Sequence, residues 1–292
     1  MNTIDNIQDF RDWREDISNS LGFIPTMGAL HDGHLSLIAA SNNMCQHTVV
    51  CIYLNPIQFS KEEDLDTYPQ DLKRDLEALS KFQVDALFLP KDSEMYPADF
   101  STHVQETKLS MVLEGKSRPS FFKGVTTVVA KLLNIVCPTH AFFGQKDAQQ
   151  LIIIKKIVAD LAYNVKIIAC PIVREKNGLA MSSRNLYLPY EKQKIAAKIY
   201  MALQKGKSSI ISGERDAQVI REKIIHNVNK ENNLQIDYVS VADAETLIEF
   251  PREISNNILV SIAIFIDGIR IIDNFRYSFS KAKKGIQEVN SK

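Results

Sequence analysis

The sequence of 292 residues lacks the features that mark several protein classes. It has no apolar run near the roughly 20 residues that span a bilayer, and its first residues show neither the basic nor the apolar segment of a secretory signal. Lys plus Arg and Asp plus Glu both number 35, and no basic stripe stands out, which argues against a nucleic-acid partner. We expect a cytoplasmic protein that binds neither membrane nor nucleic acid.

Cysteine is scarce as well, with four in the chain. They are widely spaced, no Cys-x-x-Cys occurs, and each lies in or beside an apolar stretch: Cys45, Cys51, Cys137 and Cys170. Such cysteines are typical of reduced core residues in cytoplasmic proteins. The pattern therefore predicts four buried thiols rather than a disulfide framework.

The glycines do not form the usual phosphate-binding loops. The chain has eleven, and none form a Gly-x-Gly pair, so the dinucleotide fingerprint is missing. Gly115-Lys116-Ser117 and Gly206-Lys207-Ser208 imitate the end of a P-loop, but Ser110 and Met201 stand where its earlier glycine belongs. Neither follows a convincing strand. Any nucleotide must be bound by other residues.

One stretch, residues 22–38, stands out against these absences. A short apolar run breaks at Pro25 and Gly28 and gives way to an amphipathic helix that begins near His31 to His34. A helix N-terminus favours an anion because its first N–H groups lack partners and its macrodipole is positive there. Gly28 and Gly33 leave room for a phosphate near the backbone, and the two histidines share one helix face. We interpret this segment as the triphosphate site of an ATP-using enzyme.

Two simpler interpretations of the histidine pair compete with this one. An isolated His-x-x-His pair is more often two surface histidines at a helix start. It can also be half of a zinc site, although no third ligand follows nearby. The triphosphate interpretation depends on the whole series of strand, proline, glycine, histidine and glycine.

The order of elements predicts an α/β fold: a Rossmann-like, doubly wound parallel sheet followed by a smaller α+β unit. Near-continuous apolar runs alternate with helical patterns, as in parallel sheets covered on both faces. Predicted strands lie at 21–24, 48–54, 86–90, 141–143 and 165–169, and predicted helices lie at 5–19, about 34–44, from about 69, 124–136 and 148–161. Residues 91–123 read as irregular, with an exposed loop around 116–122.

The pattern changes near Leu188. Residues 190–230 predict two helices split at 208–213, and three antiparallel strands follow, the last two joined by the hairpin signal Asp267-Gly268. We place the domains at 1–187 and 188–292. The final residues, Ser280–Lys292, read as a solvated, basic-leaning tail.

Four segments follow predicted strand ends, which is where open α/β sheets bind ligands. They are 27–34, 55–58, 144–150 and 173–184. Together they offer two imidazoles, two cations, hydroxyls and neutral amides, a set that suits phosphates and an alcohol-bearing substrate. A lone Gln or Ser is usually a surface residue, so the argument depends on the convergence of all four.

These four segments resemble those of the pantoate–β-alanine ligases (pantothenate synthetases), members of the nucleotidylyltransferase superfamily. The matching stretches are Pro25–His34 with its His-x-Gly-His motif, Asn55–Phe59, Phe143–Gln150, and Val173–Glu175 with Gly178–Asn185. The last corresponds to this family's version of the Lys-Met-Ser-Lys-Ser motif. The resemblance covers nearly the whole chain.

The resemblance implies a role for each matching residue. His34, protonated or donating, would act at the triphosphate with His31 beside it, and Lys146 and Arg184 would be the catalytic cations. Pantoate would bind to Gln58 and Gln150, with Gln58 also near β-alanine and Asn55 in support. The implied ATP-binding residues are Met27, Gly28, Ala29, Leu30, His31, Asp32, Gly33, His34, Gly144, Gln145, Lys146, Asp147, Val173, Met181, Ser182, Ser183 and Arg184.

The implied reaction joins (R)-pantoate to β-alanine through a pantoyl adenylate, with release of AMP and pyrophosphate. Mg²⁺ would bridge phosphate oxygens and need few protein ligands, none of which the sequence identifies. The C-terminal unit would act as a lid, and the resemblance suggests a homodimer. Departures from the family are mild: Asp32 and Gln145 stand where Glu is frequent, Ser120 where Gly or His is common, and Lys123 where Arg is common.

Three other functions stay open at this point. A nucleotidylyltransferase acting on a phosphorylated acceptor shares the histidine motif. A nucleotide-binding protein with a decayed site is disfavoured because both histidines, Lys146 and Arg184 are present. A small aminoacyl-tRNA synthetase is disfavoured because no basic region for tRNA is visible.

Overall fold

The computed structural model describes residues 1–61, 63–231 and 233–279. The predicted tail Ser280–Lys292 lies outside the described residues. Within them the main sheet has six parallel strands: β1 (Asn2–Ile4), β2 (Leu21–Thr26), β3 (His47–Ile52), β4 (Ala86–Phe88), β5 (His140–Gly144) and β6 (Lys166–Cys170). Their order is β1-β4-β3-β2-β5-β6. The chain therefore proceeds outward from β2 on one side and from β5 on the other, which makes the β2/β5 boundary the switch point where such sheets bind ligands.

Helices surround this sheet. They are α1 (Ile7–Glu15), α2 (Asp32–Met44), α3 (Leu72–Leu79), α4 (Asp92–Met95), α5 (Glu114–Ser117), α6 (Phe121–Val136) and α7 (Ala148–Asp160). No helix in the described part of the chain is both long and apolar enough to cross a membrane.

Successive residues of the central strands pack in two different cores, because side chains alternate between the faces of a sheet. Phe23 lies among residues of α1, α6 and α7. The next residue, Ile24, lies among residues of α2 and α3. Both side chains are fully buried, so both faces of the sheet are covered, as the unbroken apolar runs predict.

The C-terminal unit contains α8 (Tyr190–Ala196), α9 (Lys198–Ile211) and α10 (Ala217–Val228), followed by β7 (Gln235–Asp243), β8 (Ile258–Ile266) and β9 (Ile269–Tyr277). The strands form an antiparallel sheet in the order β7-β8-β9. Asp267 and Gly268 both have positive φ, 49° and 79°, which is the backbone of a tight hairpin turn. The predicted α/β fold with a smaller α+β unit is confirmed.

Several local predictions are wrong. Residues 91–123 are not irregular throughout, since they contain α4, α5 and a 3₁₀ turn at Leu109–Met111. The expected exposed loop runs into α6, which begins at Phe121 and buries Phe122. Two helices were predicted in the C-terminal unit and three are present, because the first is interrupted at Ala197. The short strand β1 was not predicted, because three residues are too few to show an alternation of apolar and polar side chains.

The cysteine prediction holds for Cys45, Cys51 and Cys170, which are free and buried. It is wrong for Cys137, which is exposed. This residue ends α6 in a left-handed conformation with φ 45°, so its side chain leaves the apolar face that the helix presents to the core.

Candidate active site

A cleft of about 1190 Å³ opens at the carboxyl ends of β2, β3, β5 and β6. Residues of β7 and β9 form part of its wall, so both units of the chain contribute to it. Pockets for a single small ligand usually measure about 300–1000 Å³. This one has room for a nucleotide and a second substrate together.

Most of the predicted site residues line this one cleft: Met27, His31, Gly33, His34, Asn55, Gln58, Gly144, Lys146, Asp147, Gln150, Val173, Met181, Ser182, Ser183 and Arg184. The remaining predicted residues are not among those that line the cleft: Gly28, Ala29, Leu30, Asp32 and Gln145. Leu30 in particular is buried in the core under α2.

The turn between β2 and α2 is held from behind by a carboxylate that the sequence did not reveal. The backbone N–H groups of Ala29 and Leu30 donate to Asp75 Oδ2 and Oδ1, at 3.0 and 2.7 Å. Asp75 lies on α3 and is 2% exposed. Burial raises the pKa of its carboxyl, while the two backbone N–H bonds act in the opposite direction. These two amides are engaged with Asp75 and so stabilise the turn.

His31 caps α2 and is fixed in one tautomer. Its Nδ1 accepts the Gly33 N–H at 3.1 Å, so in the neutral ring Nε2 carries the proton. A Cβ at Gly33 would lie 2.7 Å from His31 Cε1. The glycine therefore allows the close approach of this imidazole.

His34 stacks on His31, with ring centroids 4.1 Å apart and planes inclined by 23°. Burial, followed by the influence of His31 and Lys146, lowers the pKa of His34 well below its ordinary value. The lowered pKa favours the neutral, donating ring over the protonated one. Among the described residues its buried Nδ1 has no hydrogen-bond partner.

Lys146 lies beside the histidine pair. Burial, followed by the Lys146 charge, lowers the pKa of His31 to about 4, and Lys146 lines the same cleft as both imidazoles. Lys146 belongs to the 3₁₀ turn Gln145–Asp147 after β5. Gly144 precedes it, and a Cβ there would meet nothing within 4 Å, so the cleft is open at this point.

Lowering the pH from 7 to 5 should destabilise the protein. Between pH 6.5 and about 4, His31 is protonated in the unfolded chain but not in the folded chain. Its contribution to the free energy of unfolding is therefore fully present above pH 6.5 and is lost as the pH falls towards 4. Thermal unfolding midpoints at the two pH values measure this. The decrease in unfolding midpoint between pH 7 and pH 5 should be smaller in His31→Gln and unchanged in His226→Gln, a change at an exposed histidine. Equal drops in both variants would contradict the assignment.

Arg184 lies in the 3₁₀ turn Ser183–Tyr187, which Ser182 caps, and its backbone N–H donates to Ser182 Oγ at 3.3 Å. Its guanidinium donates to both oxygens of Asp64, at 3.0 and 2.8 Å. In the same segment, Ser183 Oγ donates to the Ala29 carbonyl at 3.2 Å. This bond joins the 173–184 segment to the histidine turn, two stretches that are far apart in sequence.

The Asn55–Gln58 turn after β3 is built around a buried amide. Asn55 is 1% exposed; its Nδ2 donates to Gln58 Oε1 at 2.9 Å, and its Oδ1 accepts from Tyr96 OH at 2.7 Å. Gln58 Nε2 in turn contacts Met27 Sδ at 3.0 Å. Asn55 therefore orients Gln58.

Helix α6 lies directly against this turn, and Gly124 allows the contact. A Cβ there would lie 2.5 Å from Gln58 Cα and from the Ile57 carbonyl oxygen. We expect Gly124→Ala to lower the free energy of unfolding by about 1–3 kcal/mol and to weaken substrate binding at Gln58. Denaturant unfolding measures the first effect. Asn134→Ala, at an exposed position of the same helix, is the control, and equal stability losses would refute the explanation.

Comparison with known proteins decides the family. A profile described as pantoate-beta-alanine ligase matches residues 1–276. The chain belongs to the pantoate–β-alanine ligase family. The pantothenate synthetase of Thermotoga petrophila is 46% identical over 272 residues, which cover 93% of this chain and 97% of that protein. That of Acetivibrio thermocellus is 47% identical over 277 residues, covering 94% and 98%.

Solved structures of this ligase family share the fold. Pantothenate synthetase from Thermus thermophilus is 37% identical, with a TM-score of 0.89 and coverage of 94% of this chain and 99% of that one. The ligase from Francisella tularensis, solved in complex with β,γ-ATP and β-alanine, is 35% identical, with a TM-score of 0.77 and coverage of 94% and 97%. The family that the four motifs indicated is confirmed.

Proposed function

We propose that this enzyme condenses (R)-pantoate with β-alanine to form pantothenate, at the expense of ATP. The observation that carries the proposal is the convergence of two neutral imidazoles and the Lys146 ammonium in one cleft, in a chain of the pantoate–β-alanine ligase family. In the first step the pantoate carboxylate attacks the α-phosphorus, forming an acyl–phosphate bond while pyrophosphate leaves. In the second, the β-alanine amine attacks the acyl carbon and AMP leaves.

The first step has an electrostatic problem, because an anion must approach an anionic triphosphate. Lys146 and Arg184 would oppose this repulsion by placing positive charge on the phosphates and on the departing pyrophosphate. His34 would add a hydrogen bond from a neutral ring, since its buried position disfavours the charged form. Holding both reactants in line can contribute up to about 7–11 kcal/mol in favourable cases.

We infer that some of the remaining predicted residues bind the nucleotide and that the others bind pantoate. The residues of 27–34, 144–147 and 181–184 would surround the phosphates and ribose, and Val173 would meet adenine through its backbone. Gln58 and Gln150, which line the same cleft, would bind pantoate. The buried Asn55 supports Gln58 through its 2.9 Å bond.

We also propose the domain division 1–187 and 188–292, with the second unit acting as a lid. Support comes from the hydrophobic core that Leu188 shares with α8, α9, α10 and the antiparallel sheet, apart from the cores of the parallel sheet. Leu179 packs in this C-terminal core as well. A closed lid would keep water from the pantoyl adenylate until the amine attacks.

Mg²⁺ would enter with the nucleotide. The described part of the chain has no group of three or more His, Cys, Asp or Glu side chains that could hold a metal. This fits a cation whose ligands are mainly phosphate oxygens and water, and whose contribution is to neutralise phosphate charge. We further propose a cytoplasmic homodimer, on the strength of the family resemblance.

The function is tested by measuring AMP with ATP and each acid alone, then with both. AMP should form at a sustained rate only when D-pantoate and β-alanine are both present. If neither acid changes AMP output, the assignment is wrong. Pyrophosphate release without AMP would instead favour a nucleotidylyltransferase.

A further inference from the structure

Strand β9 of the C-terminal unit contacts the turn that carries Lys146. The side chain of Asn274 is buried, and its Nδ2 donates to the carbonyl oxygens of Gln145 and Lys146, at 3.1 and 2.7 Å. A primary amide has two N–H donors, so this one group can bond to two successive carbonyls. It thereby fixes the orientation of the peptide groups on either side of the Lys146 Cα.

Asp273, which precedes Asn274 in β9, contacts the 173–184 segment, another of the segments predicted to bind the nucleotide. Asp273 is 1% exposed, and its carboxylate accepts two bonds from Arg174, at 2.7 and 2.9 Å. Arg174 also donates to the Gly178 carbonyl at 3.0 Å and lies 4.0 Å over the Tyr200 ring. Neighbouring residues of a strand point to opposite sides, so one strand connects to both segments.

Lys146 depends on its backbone for placement. Its side chain is 18% exposed, and the ion pair that the structure gives its ammonium, with Asp147 Oδ1, is long at 3.6 Å. A flexible four-carbon stem with so weak a tether is positioned chiefly by the direction of its Cα–Cβ bond. That direction is set by the turn that Asn274 holds.

We propose that Asn274 is a positioning residue for adenylate formation, which orients Lys146 through the two carbonyls of its turn. The inference rests on the proposed function, because it concerns the same cation and the same step. It adds that the C-terminal sheet contributes to catalysis by fixing a residue of the parallel-sheet unit.

The test compares Asn274→Ala and Asn274→Asp with the unmodified enzyme in ATP–pyrophosphate exchange driven by pantoate. Asn227→Ala is the matched control, since Asn227 Nδ2 also donates to a carbonyl, that of Lys223 at 2.7 Å, but on α10. We expect Asn274→Ala to lower kcat by about 10–100-fold with the KM for pantoate unchanged. Asn227→Ala should leave both constants unchanged.

Asn274→Asp separates positioning from misfolding. An ionised carboxylate would face two carbonyl oxygens, whereas a protonated one regains an O–H donor. Activity relative to the unmodified enzyme should therefore be higher at pH 6 than at pH 8. A relative activity that does not depend on pH would overturn the proposal even if Asn274→Ala fails to fold.

A double variant gives the decisive comparison. If Asn274 acts through Lys146, Asn274→Ala should add almost no further loss to Lys146→Met, because both changes remove one function. Full additivity, or normal exchange by Asn274→Ala, would overturn the proposal. An unmodified enzyme that shows no pantoate-dependent exchange would instead refute the proposed function, so the two failures are distinguishable.

Discussion

Replacing Lys146 with methionine should lower the rate of pantoate-dependent ATP–pyrophosphate exchange by about 10²–10³-fold, the usual cost of removing one group that stabilises charge in a transition state. Methionine keeps an unbranched apolar stem of similar length and removes only the charge. The loss should fall on kcat, because the charge matters most as pyrophosphate departs. Exchange kinetics over a range of pantoate concentrations measure it.

The same variant offers a second measurement that does not depend on activity. Lys146 lowers the pKa of His31 after burial does, so its removal should raise that pKa, which an NMR titration can follow. Lys155→Ala, at an exposed lysine of α7, is the control and should change neither quantity. Near-normal exchange by Lys146→Met would remove this residue from its proposed role.

His34→Ala should also lower exchange by about 10²–10³-fold while leaving the protein folded. Because the buried Nδ1 of His34 has no partner among the described residues, the change breaks no hydrogen bond there and costs only packing against His31. Exchange rates and thermal unfolding midpoints, measured on the same sample, separate the two effects.

A conservative substitution at the same position tests the proposed chemistry. His34→Gln keeps a neutral donor and should recover part of the lost rate, whereas His226→Ala, at an exposed position of α10, should behave like the unmodified enzyme. If His34→Gln is no better than alanine, hydrogen bonding by a neutral ring does not explain the role of His34.

The sequence predicted the parts of the site that follow strand ends. The turns after β2, β3 and β5 and the loop after β6 each begin where an apolar run stops, and carboxyl ends of parallel strands meet at one edge of a sheet. That rule is enough to bring His34, Gln58 and Lys146 together without any knowledge of the contacts between them.

The supporting residues could not be predicted, because their partners are distant in sequence. Asp75 bonds to the backbone of Ala29 and Leu30 from a surface-type helix, and nothing in the pattern of α3 distinguishes it from a solvated carboxylate. Asn274 reaches Lys146 from the last described strand. Such contacts depend on how helices and strands pack against one another, and the spacing of apolar residues along the sequence does not reveal that packing.

Glycine positions show the same limit. Gly28 and Gly33 were predicted to leave room for a phosphate, and the structure shows protein neighbours close to both. Gly28 has φ 86° beside Asp75, and Gly33 accommodates the His31 ring. A sequence shows that a side chain is missing, whereas only the structure shows which neighbour needs the space.

Isotope exchange between pyrophosphate and ATP, with pantoate present and β-alanine absent, tests most directly whether these converging groups form an acyl adenylate. We predict that labelled pyrophosphate enters ATP only when D-pantoate is added, and that the Lys146→Met and His34→Ala variants lose this exchange. Exchange that proceeds equally well without pantoate, or none at all in an enzyme that still makes AMP from both acids, would contradict the account.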